Sequence, residues 1–182
     1  MWIGLFIAFI MVFSIFGFII DFAVQPSAKG AKYGDFKFRV VNQQYVTKIN
    51  GVEHVFFFFP RDLEYILLSG EVKALLDKPV LIVTYDPKSN LSENFAESQY
   101  YFESQLADGK TIERALTNNE GTQLSQKSCS DATESQPVIE LRKGEKSGVS
   151  AVGNCIQLSA VDAFDLYQQT ERLIYTIFGV MQ

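Results

Sequence analysis

The chain of 182 residues has a formal net charge of −5 and a pI near 4.9, which argues against nucleic acid as a partner. Neutralising phosphates takes a basic face, and here Lys and Arg are scattered. Apolar residues at 47% and charged residues at 20% place the chain with folded proteins rather than disordered ones, and sixteen Phe and eight Tyr make it rich in aromatics.

Residues 2–20 carry no charge, and only Gly4, Ser14 and Gly17 interrupt a run of strongly apolar residues and alanine. As a helix this run would be roughly 28 Å long, close to the hydrocarbon thickness of a bilayer. It lacks the polar stripe of a core helix, and Trp2 suits an interfacial anchor. An uncleaved transmembrane anchor over 1–21 is therefore expected, since no Lys or Arg precedes the apolar run and the cleavage sites near Ala23 and Ala28 are poor. Orientation is in conflict. Lys29, Lys32, Lys37 and Arg39 follow the helix and favour a cytoplasmic domain. Asp21 and the two cysteines favour the extracytoplasmic side, which is the expected one, with the chain single-pass in the cell membrane.

A linker over 22–33 rich in Pro, Ser, Gly and Ala leads into a single α/β domain over 34–182, with α+β as the alternative class. The stretch 36–40 alternates and reads as a strand, and 45–49 and 52–59 are strands joined by Asn50-Gly51, a strong hairpin signal. After this β meander, Pro60 leads a short helix over 61–68. The continuous apolar stretch 79–85 reads as a central strand covered on both faces. A helix over 91–106 and a strand over 110–117 complete a parallel βαβ unit. A polar loop follows to residue 136. Strands at 137–141 and 155–158, flanking a flexible KGEKSG stretch, form a β-hairpin, and a long C-terminal helix starting near Asp162 packs on the mixed sheet.

Cys129 and Cys155 are the most informative pair. A bridge would close a loop of about 26 residues and pin the polar loop to a strand, with a loop-entropy gain of roughly 3.5 kcal/mol. Free or catalytic thiols are the alternatives, and only Lys127 lies nearby to lower a thiol pKa. His54, the single histidine, reads as a strand residue on the solvated face. One His and two Cys do not make a zinc set, and Asp86, Glu93 and Glu97 lack the spacing of a calcium loop, so no metal or other cofactor is expected. Asn90-Leu91-Ser92 is a glycosylation sequon. The run Phe56, Phe57, Phe58 and Phe59 either lies in a strand covered on both faces or leaves one face exposed for a partner.

Cys129-x-x-Ala132-Thr133, Pro137-Val138-Ile139, Gly153-Asn154-Cys155-Ile156, Glu171-Arg172-Leu173-Ile174-Tyr175 and Gly179-Val180-Met181 together give a chain that resembles uncharacterised membrane-anchored proteins of small-genome archaea. That resemblance implies an anchor plus a domain and no chemistry. From residue 79 onward the element order is also similar to thioredoxin-like domains, with Asp86-Pro87-Lys88-Ser89-Asn90 in place of the redox dithiol. The expected function is a non-catalytic interaction or accessory module of a cell-envelope complex, held in the bilayer through residues 2–20 and bound to a protein partner. The alternatives are a tethered enzyme or redox helper using the loop 86–90, and a ligand sensor marked by an apolar pocket.

Overall fold

The structure, a computed structural model, describes residues 30–119 and 121–182. The expected anchor at 1–21 lies outside them; among the described residues no helix is long and apolar enough to cross a membrane.

The described chain opens with an antiparallel meander of β1 (Ala31–Tyr33), β2 (Phe36–Val41), β3 (Gln44–Ile49) and β4 (Val52–Phe56), hydrogen-bonded in that order. β1 draws three residues from the stretch expected to be linker, pairing Ala31 with Phe38 and Tyr33 with Phe36. Asn50 and Gly51 take φ of 50° and 91°, the positive pair a two-residue hairpin turn requires, and this sets Ile49 opposite Val52. β4 stops at Phe56, three residues before the predicted end. The amides of Phe57 and Phe58 bond a buried carboxylate, that of Glu171, instead of a neighbouring strand.

Residues 61–68 do not form the expected helix. A single 3-10 turn spans Pro60–Leu63, and then Tyr65 and Leu67 are exposed while Ile66 and Leu68 are buried. That alternation belongs to extended chain. The helix comes later, as α1 (Gly70–Leu76), where Val72, Leu75 and Leu76 lie buried at helical spacing and the Ser69 hydroxyl caps the Val72 amide.

The second sheet has six strands. They are β5 (Val80–Tyr85), β6 (Thr111–Leu116), β7 (Ser125–Gln126), β8 (Val138–Lys143), β9 (Gly148–Val152) and β10 (Cys155–Ala160), in the order β7-β6-β5-β8-β10-β9. Helix α2 (Ser92–Leu106) connects β5 to its parallel neighbour β6, as the βαβ reading expects. β5 is central and buried on both faces. The strands expected as a hairpin are parallel neighbours, with Val138 opposite Cys155. The hairpin is instead β9–β10, with β9 drawn from the connection between them; its Val149 and Ala151 pack on the core, which holds a Gly- and Ser-containing segment extended.

The C-terminal helix α3 (Ala163–Ile177) starts at Asp162, whose carboxylate accepts from the Asp165 amide. Helices α2 and α3 pack together between the two sheets. On the large-sheet side, Gln99 donates to the carbonyls of Val83 and Ala115 at 2.6 and 2.9 Å, and Gln169 donates to that of Ser159 at 2.9 Å. On the meander side, Phe56 stacks on Tyr175 with ring centroids 4.1 Å apart, and the Tyr175 hydroxyl donates to the Phe58 carbonyl. The outcome is sheet, helices, sheet. The other face of the large sheet is covered near Ile82, Val138 and Cys155 by the turn at Cys129–Asp131 and Ala132.

Candidate functional site

Four neighbouring aromatics come from two elements. Phe57 and Phe58 leave the end of β4, where the bonds to Glu171 turn the chain out of the sheet. Tyr100 and Tyr101 sit on α2, beside the residues that face the core at Phe95, Phe102 and Leu106. Phe164 and Tyr167 add the first turns of α3. Together they line a groove of about 650 Å³, within the range of ligand pockets. Phe57, Tyr100 and Phe164 are 55%, 62% and 62% exposed, although a folded domain normally buries such rings. Phe57 meets Tyr101 at 6.2 Å with planes 53° apart, and Phe58 meets Phe164 at 5.3 Å with planes at 83°. Neither pair stacks face on face.

Glu97 is the charged side chain at the groove wall, with Ser104 further along the same helix. Its carboxylate accepts the Tyr167 hydroxyl, which also accepts from Asn94. Burial and then the bond to Glu97 push the Tyr167 hydroxyl above its ordinary pKa.

Behind the groove lies Glu171, 1% exposed. One carboxylate oxygen accepts from the Phe57 amide at 2.7 Å and the Tyr101 hydroxyl at 3.0 Å, and the other accepts from the Phe58 amide at 2.9 Å. Burial pushes its pKa up to about 7, and the two amides and the Tyr101 hydroxyl pull the other way. The Tyr101 hydroxyl also lies 2.8 Å from the Val55 carbonyl. A protonated Glu171 can therefore donate to the Tyr101 oxygen while Tyr101 donates to Val55. An ionised Glu171 accepts from Tyr101 instead. Burial, and then the Glu171 charge, push the Tyr101 hydroxyl up, so it remains a donor in both states.

The residues singled out in the sequence are dispersed. Of the phenylalanine run, Phe56 is fully buried, Phe59 packs on Tyr33, Phe38 and Tyr45, and Phe57 and Phe58 reach the groove. Cys129 and Cys155 lie at disulfide distance, with sulfurs 2.02 Å apart, on the far face of the large sheet. His54 is buried, not solvated: its Nδ1 lies 3.0 Å from the Gln105 oxygen of α2, and Phe178 packs on its ring. The reason is the layering, which places α2 and α3 over that face of β4. Asn90 is exposed in the loop before α2, where Asp86 accepts from the Lys88 amide. Asp86, Glu93 and Glu97 do not converge; the one set of potential ligand atoms among the described residues is Cys129, Glu140 and Cys155, whose sulfurs are already bonded to each other.

Tyr100, Tyr101, Phe164 and Glu171 carry the groove and were not legible as site residues. Phe164 falls outside the apolar stripe of its helix, and that was the available signal. The arrangement can bind through ring faces, a carboxylate and excluded water. No family model, curated protein or solved structure matches the chain.

Proposed function

We propose that this chain is a membrane-anchored, non-catalytic interaction module of a cell-envelope complex. Residues 2–20 form the anchor, the α/β domain stands on the extracytoplasmic side, and the aromatic groove docks an extended apolar segment of a partner protein. The observation that carries this reading is the groove, where three large aromatic side chains stay more than half exposed beside three half-buried ones. Exposed rings cost solubility and are retained where something covers them. Aromatic clusters of this kind are also what the energetic centres of protein interfaces are made from.

The test is site-specific photo-crosslinking in intact cells. A photoreactive phenylalanine analogue placed at Phe164 is expected to give one discrete adduct with a membrane or envelope protein, mapped by mass spectrometry to an extended apolar segment. The adduct should fall at least tenfold with Tyr100→Ala and should be missing when the probe stands at Arg142. An adduct within the same chain, or equal labelling from both positions, would overturn the reading.

A further inference from the structure

We infer that the groove reads a cation: it takes an arginine side chain, presented by the extended apolar segment of the partner, between the aromatic rings and Glu97. This rests on the docking reading above and specifies its chemistry.

Charge complementarity carries the argument. Among the described residues the groove wall contains one charged group, the Glu97 carboxylate, and no basic side chain. One turn earlier on the same face stands Glu93, also exposed. Among the described residues neither carboxylate makes an ion pair, although Glu53, Glu103 and Glu134 all do. Glu97 is instead oriented by the Tyr167 hydroxyl, which fixes one oxygen and leaves the second for a donor.

The ring geometry agrees. Aromatic faces attract cations, and guanidinium, planar and weakly hydrated, stacks on them better than ammonium does. Phe57 and Tyr101, and likewise Phe58 and Phe164, are set at angles rather than stacked, so the groove does not close its ring faces against one another. A neutral apolar ligand would satisfy the rings and leave Glu97 partly desolvated without a partner, which opposes binding. A guanidinium on an apolar stem satisfies both. The volume exceeds what one side chain fills, which leaves room for apolar residues on either side of the arginine.

The experiment uses the full chain in nanodiscs of zwitterionic lipid, with empty nanodiscs as reference and surface plasmon resonance as the readout. Two capped probe peptides are compared, Leu-Pro-Arg-Pro-Leu and the same sequence with citrulline, the neutral isostere, in place of arginine. The arginine peptide is expected to bind about tenfold tighter. Glu97→Gln should erase that difference while keeping the citrulline affinity, and Phe164→Ala should weaken both peptides. Equal affinity for the two peptides would overturn the cation proposal and leave the docking reading standing. An arginine preference that survives Glu97→Gln would also overturn it, because the cation would then sit elsewhere. Binding of neither peptide overturns it too, and the crosslinking result then decides the docking reading independently.

Discussion

Glu171, Arg172 and Tyr175 illustrate how single residues of one helix act as fasteners between layers. Glu171 holds the chain as it leaves β4, and Tyr175 donates to the Phe58 carbonyl. Arg172, 4% exposed, donates to the Ile66 carbonyl, the Thr176 hydroxyl and a main-chain oxygen of Gln182, which together satisfy its buried guanidinium. The Glu171 carboxyl has a folded pKa of about 7, above its ordinary value of 4.5, so the fold favours its neutral form. A group raised in this way contributes stability that is complete below the unfolded pKa and is lost as pH rises through the folded one. Urea unfolding of the wild type is expected to show about 3 kcal/mol less contribution from this residue at pH 8 than at pH 4. Glu171→Gln should flatten that slope and cost about 1–3 kcal/mol at pH 5, because its amide group then faces a backbone N–H. Equal slopes in the two proteins would remove Glu171 as the titrating group.

At the scale of elements, the segment from Lys127 to Gln136 covers the second face of the large sheet, tied down by Cys129 and by the Thr84 hydroxyl, which donates to the Lys127 carbonyl at 2.7 Å. Cys129 and Cys155 are 26 residues apart, so replacing both with Ser is expected to lower unfolding free energy by about 3.5 kcal/mol in the loop-entropy description. A loss under 1 kcal/mol by chemical denaturation would show that the loop holds without its covalent link. Elements with a strong local signal were legible in the sequence. Asn50-Gly51 fixed the register of β3 against β4 through its turn, and the unbroken apolar run of β5 marked a strand covered on both faces. α1 was missed because its seven residues give little periodicity, and β9 because Gly148 and Ser150 resemble a connection when the packing of Val149 and Ala151 is unknown. The groove could not be read along the chain at all. Its walls come from segments separated by 39 residues from Phe58 to Glu97 and by 60 from Ser104 to Phe164, and only the packing of α2 against α3 and the exit of β4 brings them together.

For the whole molecule, the placement of the two sheets around one helical layer explains why His54 is buried and why aromatics emerge together at one place on the surface. The extracytoplasmic placement proposed for the domain is tested by the state of its cysteines in cells. Intact cells treated with a membrane-impermeant maleimide are expected to label Cys129 and Cys155 only after reduction and then denaturation. Labelling without reductant, and only after lysis, would place the domain in the cytoplasm.

The way the chain enters the domain has a mechanical consequence. A load applied ahead of residue 30 would arrive at β1, an edge strand of three residues paired, among the described residues, with β2 alone. Its central pair sets Lys32 against Lys37, two like charges directly opposite each other. β1 is thus the first paired strand that a pull would load, ahead of β2, β3 and β4. Loss of β1 would also part the Tyr33 ring from Phe59, the neighbour of Phe57 and Phe58, so tension on this strand reaches the segment that lines the groove.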